Sequence, residues 1–270
     1  MGTAWLVAAC LVAGSLIGLL GGILGIGGGL IAIPALGLLL GMDQQLAQGT
    51  ALIMVLPTVL MAVRKYNQQA RIDLRVAACG ALCAMVSTWV GARLALGMDP
   101  LALRRAFAFF LLGIAVFYVW QTFGRRRAAR GPAGKAAKPS AGPSSQAAPA
   151  GTLTRLQAGL LGTLAGVLGG FFGVGGAVLA VPIMTAGFKL SQTAAQALAL
   201  TMIIPGACVA LLTYALGGQT DWLVGLSLAA GSLVLVPVGV RIAYGLPERT
   251  LRGAFALVLG LTVILLLSDA

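Results

Sequence analysis

The strongest constraint on the fold of this chain is an internal duplication. Residues 14–57 align without a gap on residues 162–205, at an offset of 148, and the two segments are identical at 18 of 44 positions. The match continues more thinly at the same offset, so that Asp73 corresponds to Asp221. The chain therefore consists of two related halves, and its fold must accommodate the same segment twice.

Apolar stretches recur at matched places in both halves. The chain is 59% hydrophobic and 9% charged with a mean hydropathy of +1.00, so lipid must be its main solvent. Stretches near the roughly 20 residues that a span needs lie at 4–24, 45–63, 76–96, 106–122, 153–172, 194–216, 222–244 and 251–268. Shorter apolar pieces lie at 29–41 and 177–188. We predict an all-α polytopic membrane protein with two repeats, each of four full spans and one short or broken helix.

A segment of different composition separates the two halves. Residues 124–152 lose the apolar pattern and are rich in Pro, Gly, Ala and basic residues, a composition typical of a disordered linker. We therefore divide the chain into a first membrane repeat at 1–123, this basic linker, and a second membrane repeat at 153–270.

The basic residues predict the orientation of the repeats, because Lys and Arg concentrate in cytoplasmic loops. If each half crosses five times, short piece included, and the N-terminus is outside, 15 of the 18 basic residues lie inside. If the short pieces turn back without crossing, the halves run parallel and the split is 11 to 7. The rule favours five crossings, which inverts the second repeat relative to the first, as in many secondary transporters. The linker is then cytoplasmic and both termini are periplasmic.

Several function classes lack their usual residues in this sequence. The net charge of +12 comes without any groove-reading motif, so we expect no nucleic-acid partner. There is no His, and the six acids fall in predicted loops or at helix ends, which leaves no carboxylate for a proton relay within the membrane. Neither a P-loop nor a dinucleotide fingerprint is present. We expect no enzymatic activity, cofactor or metal; a homo-oligomer is left open.

Each half carries a glycine-rich break before its short piece. GILGIGGGLIAIP at 22–34 recurs as GFFGVGGAVLAVP at 170–182. Such a break exposes N–H groups at the positive end of a new helix, where an anion can bind; in lipid these groups must be buried in protein or line a wet cavity. We predict a central substrate site between the repeats, formed by Gly25, Gly27, Gly28, Gly173, Gly175 and Gly176. The alternative is that these glycines only permit close helix packing.

The helix after each break begins with matched glutamines. Gln48 and Gln196 follow Gln44 and Gln192 by four residues, which places each pair on one helix face. Because an amide can donate to an anion, we assign Gln48 and Gln196 to the substrate site. The alternative is a hydrogen bond to a neighbouring helix or an exposed backbone group.

Further residues have candidate roles along the predicted pathway. Arg93 and Arg241 occupy matched positions near helix ends, where they could draw anions into opposite vestibules or anchor the helices at the membrane interface. Cys79 and Cys83 share a helix face, and their role is open. Four prolines are predicted to kink helices or form hinges: Pro34, Pro57, Pro182 and Pro205.

The doubled glycine and proline segment, followed in each half by a Gln-containing helix and a G-x-R motif, resembles the sulfite exporter TauE/SafE family, also called the toluene sulfonate uptake permeases. The resemblance spans essentially the whole chain. It implies a bacterial inner-membrane permease for a small anion such as sulfite, thiosulfate, a sulfonate or a related organic acid. The particular anion, the direction of transport and the coupling ion stay open. So do two other functions, an anion channel and a membrane subunit of a larger complex.

Overall fold

The structure is a computed structural model that describes residues 2–67, 74–128, 154–188 and 190–268. Within these ranges each half of the chain forms five α-helices. The first half contains α1 (Thr3–Leu24), α2 (Gly29–Leu40), α3 (Gln44–Asn67), α4 (Leu74–Leu96) and α5 (Pro100–Ala128). The second half contains α6 (Arg155–Phe172), α7 (Ala177–Gly187), α8 (Gln192–Leu216), α9 (Trp222–Gly245) and α10 (Glu248–Ser268). The predicted all-α class is confirmed, with α2 and α7 as the two short helices.

Most of the described helices have the character of membrane spans. Six of them, α1, α3, α4, α5, α8 and α9, are long and apolar enough to cross a membrane by length and composition. The described apolar parts of α2, α6, α7 and α10 are shorter. Large apolar side chains such as Trp5, Phe109 and Leu216 are exposed, as expected for a surface that faces lipid rather than water. The chain is therefore a polytopic membrane protein.

Polar side chains fix the starts of several helices. Asp99 accepts hydrogen bonds from two backbone N–H groups in the first turn of α5, and Asp221 caps α9 in a similar way. Thr154 and Gln157 form a reciprocal capping box at the start of α6. Such caps satisfy the N–H groups that a helix start leaves without partners. These two acids therefore lie at helix ends, as predicted.

Three glycines of α1 at four-residue spacing, Gly14, Gly18 and Gly22, form a glycine stripe that packs against α9 of the other repeat. A methyl group on Gly14 would overlap the backbone of Leu228. One turn later, Gly18 meets the backbone of Ser232 in the same way. Because the contact moves toward the C-terminus in both helices, from Gly14 and Leu228 to Gly18 and Ser232, α1 and α9 run parallel. Their backbones approach as closely as glycine permits.

The second glycine stripe repeats this contact between α6 and α4. Gly162 lies against the backbone of Gly80, and Gly170 lies against that of Thr88, so α6 and α4 also run parallel. By sequence, α6 is the counterpart of α1 and α4 is the counterpart of α9. The two contacts are therefore related by a pseudo-two-fold axis, and each repeat packs its first helix into the other repeat.

The second repeat is inverted relative to the first. Asp221 donates its backbone N–H to Thr50, and Thr58 lies 2.9 Å from the Ser232 hydroxyl, so α3 runs parallel to α9 and α1. By contrast, Gln45 at the start of α3 donates to the carbonyl of Met98 beyond the end of α4, so α3 and α4 are antiparallel. Because α6 is parallel to α4, α6 runs opposite to α1, as predicted.

The short helix α2 covers only half the depth of α3. Gly29, its first residue, contacts Val55 in the middle of α3, and α2 ends at Leu40 beside the start of α3. The favoured count of five crossings per half is therefore wrong, because α2 does not cross. The expectation that such re-entry makes the repeats parallel is wrong as well. Because α1 starts, and α2 ends, on the side where α3 begins, α1 and α2 form a hairpin that begins and ends on one side and preserves the inversion.

The helix directions define two faces of the protein. The terminal face carries the start of α1, the end of α10 and loops 41–43, 97–99 and 217–221. The linker face carries the ends of α3, α5 and α9 and the start of α6. α5 continues to Ala128, past the predicted repeat boundary, so the first residues of the predicted linker 124–152 are helical; the rest of that linker lies outside the described residues.

Candidate functional site

Both glycine breaks are built from left-handed backbone conformations. In the first break Gly25, with φ of 65°, ends α1, and Gly28, with φ of 81°, begins α2. Residues with a Cβ atom rarely adopt this region. The same conformations recur in the second break, so that positive φ is shared by Gly25, Gly27, Gly28, Gly173, Gly175 and Gly176. The backbone itself therefore requires all six glycines; their contact with substrate stays a prediction.

The two breaks meet in the middle of the molecule. A Cβ atom on Gly29 would lie 3.5 Å from the Cα atom of Val174 and 3.6 Å from the carbonyl oxygen of Gly173. Gly175 lies against Ile203, near the middle of α8. The structure thus brings together the two segments that the sequence places 148 residues apart, between α3 and α8.

Gln196 of the second repeat closes the break of the first. Its Nε2 atom donates to the carbonyl oxygen of Leu24, the last residue of α1, at 2.6 Å. Gly25 follows directly, and a Cβ atom there would lie 2.5 Å from the side chain of Gln196. The amide therefore satisfies a carbonyl at the negative end of α1, while the positive start of α2 lies beside it.

Gln48 of the first repeat lies against the break of the second. A Cβ atom on Gly173 would be 2.8 Å from the Cβ atom of Gln48. The Tyr214 hydroxyl lies 2.7 Å from Oε1 of Gln48 and 3.1 Å from the carbonyl oxygen of Gly170. With Oε1 held by this hydroxyl, Nε2 of Gln48 is buried and has no acceptor among the described residues. It is an open hydrogen-bond donor beside the break.

Gln44 adds a second open donor one turn before Gln48. Its side chain is buried, and its Nε2 atom also lacks an acceptor within the described parts of the chain. Gln44 lines a cavity of about 210 Å³ near the terminal face, together with Pro34, Asp43 and Arg104. Gln192, its counterpart in the second repeat, is buried as well.

The two predicted vestibule arginines lie at helix ends on opposite faces. Arg93 is exposed on the terminal-face end of α4, with its guanidinium 5.7 Å from the centroid of the Trp89 ring. It borders a small cavity of about 110 Å³ with Thr213, separate from the one that Gln44 lines. Arg241 is exposed near the end of α9. The structure does not bring either arginine to the breaks, and the vestibule role stays a prediction.

The predicted prolines all lie inside helices that flank the breaks. Each removes one N–H group from the helical hydrogen-bond ladder. Pro34 is buried, lies in α2 and lines the cavity beside Gln44. The other three lie within α3, α7 and α8: Pro57, Pro182 and Pro205. Their action as hinges stays a prediction.

Tyr214 is the residue of this site that the sequence reasoning missed. Its side chain is fully buried, and it orients the amide of Gln48. A signal was available, because Tyr66 stands at the same offset of 148 in the first repeat; the side chain of Tyr66 is outside the described part.

The cysteine pair lies elsewhere, between α4 and α6. A Cβ atom on Gly159 would lie 3.5 Å from Sγ of Cys83 and 4.0 Å from Sγ of Cys79. The pair therefore lines a helix packing contact rather than a glycine break. Among the described residues no group of three or more His, Cys, Asp or Glu side chains could hold a metal ion.

Two inverted helical repeats with paired breaks at the centre define an inverted-repeat membrane protein, a plan shared by many secondary transporters. The model of the family described as sulfite exporter TauE/SafE matches residues 10–266, nearly the whole chain. The chain therefore belongs to the sulfite exporter TauE/SafE family of membrane transporters, which confirms the resemblance found in the sequence. Searches of curated proteins and of solved structures found no match.

Proposed function

We propose that the protein is a secondary permease that moves a small anion across the bacterial inner membrane, through a site at the two glycine breaks. The substrate class is sulfite, thiosulfate, a sulfonate or a related organic acid. Membership of a transporter family supports the general activity, and the chemistry at the breaks supports an anion as the substrate.

The open donor of Gln48 is the observation that carries this proposal. A buried N–H group without an acceptor costs about 1–3 kcal/mol, and this one lies beside the break at Gly173. Tyr214 holds the other end of the amide, so the donor cannot turn away without losing that bond. An oxygen atom of a bound anion would satisfy the donor and offset its cost.

The electrostatics at the breaks also favour an anion. α2 and α7 both begin at the centre, and each helix start carries about half a positive charge. One carbonyl at the opposing end of α1 is already bonded by Gln196. The acids with described side chains, Asp43, Asp99 and Asp221, all lie at the terminal face beyond the breaks. The ends of α1 and α6 carry comparable negative partial charge, so the feature that favours an anion is that the breaks contain no described carboxylate.

The difference between the two glutamines suggests how the site alternates. Gln48 has an open donor and lies one turn after Gln44, which lines the 210 Å³ cavity near the terminal face, whereas Gln196 bonds the carbonyl of Leu24. Because the repeats are inverted copies, the state that faces the other way should exchange these roles. Gln48 would then bond the end of α6, and Gln196 would have the open donor.

We also propose that the linker face is cytoplasmic and that both termini are periplasmic. Arg64, Lys65 and Arg241 have described positions at the linker face, and the predicted linker adds many basic residues there. Arg93, Arg104 and Arg105 lie toward the terminal face. Because basic residues concentrate on the cytoplasmic side, this distribution supports that orientation.

Uptake into proteoliposomes tests the function with a matched pair of variants. We expect the wild type to take up one anion of a panel of sulfite, thiosulfate, sulfoacetate, sulfate and acetate, with saturation. Gln48→Met removes the open donor and should lower uptake at least about 10-fold, because the lost hydrogen bond to a charged substrate contributes about 1.4 kcal/mol or more. Gln45→Met is the control, because the buried amide of Gln45 is already bonded to Met98; it should lower stability but leave the half-saturating concentration unchanged.

Three results would count against the proposal. Transport of none of these anions by a folded wild type would refute the permease. Current that rises without saturation would indicate a channel instead. Equal loss of transport in Gln48→Met and Gln45→Met would show that the amide at the break has no special part in binding.

A further inference from the structure

We propose a second anion subsite in the 210 Å³ cavity near the terminal face, between α2, α3 and α5, where Gln44 and Arg104 bind the substrate before it reaches the glycine breaks. The inference rests on the proposed function and extends it, since it assigns an entry site and a route. The cavity is lined by the middle of α2, by loop 41–43 and by the starts of α3 and α5.

The cavity has room for a small anion and part of its water. A single water needs about 10–15 Å³ of comparable space, so a cavity of about 210 Å³ holds an anion of four or five heavy atoms with several waters. It is partly open, and its wall reaches inward to Ile33 and Pro34, about one turn from the start of α2 at Gly29. The cavity thus leads from the surface toward the breaks.

Gln44 lines this cavity, and its amide has a buried donor that is unsatisfied. Only 6% of its side chain is exposed, and its Nε2 atom has no acceptor in the described part of the chain. Gln48 follows one turn deeper on the same face of α3 and has the second open donor. Two buried amides with unsatisfied donors therefore lie in succession along α3, between the wall of the cavity and the second break.

One cation and one carboxylate line the cavity. Arg104 lies half-buried in its wall and carries a permanent positive charge. Asp43 also borders the cavity, but it is exposed and its charge is screened by water. The half-buried charge of the lining is therefore the cation, whereas the carboxylate, which weakens the attraction of anions, is exposed to water.

The same two chemical groups recur in the second repeat. Gln44 corresponds to Gln192, and Arg104 corresponds to Arg252, both at the offset of 148. The side chain of Arg252 lies outside the described residues. Inversion of the repeats places this second pair toward the linker face, so the proposal predicts an equivalent subsite at the opposite end of the route.

The experiment measures uptake of sulfite and thiosulfate over a range of concentrations in proteoliposomes. Arg104→Gln should raise the half-saturating concentration about 10-fold, because a hydrogen bond to a charged group contributes about 1.5–3 kcal/mol and part of it is screened here. The maximal rate should change less than about twofold. Arg104→Lys keeps the charge and should restore part of the affinity. Gln44→Met should raise the half-saturating concentration as well.

Two further variants separate the subsite from general effects. Arg105→Gln removes the same charge from an exposed neighbour that does not line the cavity, and it should change the half-saturating concentration less than about twofold. Asp43→Asn removes the carboxylate from the rim, so it should lower that concentration. Size-exclusion profiles and melting temperatures show whether each variant is folded.

The outcomes distinguish this inference from the proposed function. If the wild type transports an anion but Arg104→Gln behaves like Arg105→Gln, the subsite is refuted and the permease stands. A lower maximal rate with unchanged half-saturation would also refute it, since that result indicates a structural role. If the wild type transports no anion, the subsite is tested by calorimetry of the detergent-solubilised protein with sulfite and thiosulfate. Binding that Arg104→Gln weakens would support the subsite without the permease. Absence of binding would refute the subsite as well.

Discussion

Alanine at Gly173 tests whether the second break requires both a left-handed backbone and close contact with α3. The left-handed conformation costs a residue with a Cβ atom about 1–2 kcal/mol. In addition, the new methyl group would lie 2.8 Å from the Cβ atom and 3.2 Å from the Cα atom of Gln48. Overpacking of this kind costs about 1–3 kcal/mol. Gly173→Ala should therefore lower the free energy of unfolding by about 2–5 kcal/mol.

Gly218 provides the matched control for this substitution. Its φ is 69°, against 67° for Gly173, but a Cβ atom there would have nothing within 4 Å. Gly218→Ala should therefore cost only the backbone term, about 1–2 kcal/mol. The difference between the two variants, about 1–3 kcal/mol, corresponds to roughly 2–12 °C in melting temperature.

The assay is the apparent melting temperature of both variants in one detergent, followed by tryptophan fluorescence. Displacement of Gln48 by the new methyl group should also lower anion uptake in Gly173→Ala, with uptake by Gly218→Ala near the wild-type value. Equal melting temperatures for the two variants would show that the close approach of the break to α3 contributes nothing, and the description of this contact would be wrong.

Two further substitutions test other contacts. Tyr214→Phe removes the hydroxyl that holds Gln48, so it should lower stability by about 0.5–2 kcal/mol and raise the half-saturating anion concentration; unchanged values in melting and uptake assays would contradict the role of this hydroxyl. Gly18→Ala should lower the melting temperature, because a methyl group there meets the backbone of Ser232, whereas Gly113→Ala in α5 has open space around it and should not. A fall of similar size in both would refute the close contact between α1 and α9.

The repeat and the breaks could be read from the sequence, because each depends on local chemistry. Positive φ requires glycine at positions such as Gly28 and Gly176. Because the two repeats align, the same glycine pattern occurs in both halves of the sequence. The inverted orientation followed from the placement of basic residues at helix ends. Their preference for the cytoplasmic side is set by the membrane and not by packing within the chain.

The hairpin of α1 and α2 could not be read in the same way. Hydropathy counts apolar residues, and α1 has enough of them to span a membrane, but where it stops depends on its contact with α9. Tyr214 was missed for a related reason, since its partner Gln48 is distant in the chain and the two meet only through tertiary packing. The break at Gly173 was found from its repeated glycine-rich motif, whereas its contact with Gln48 required the fold.

The exchange of helices between repeats sets an order for assembly during synthesis. α1 packs its glycine stripe on α9, which begins at Trp222, so the contact surface of the first helix is made long before its partner. At translation rates of about 5–20 residues per second, the nascent first helix would wait roughly 10–40 s, with Gly14 and Gly18 facing lipid or the insertion machinery. Neither repeat can then complete its own packing alone, and a chain interrupted between the halves would need both pieces in the same membrane to mature.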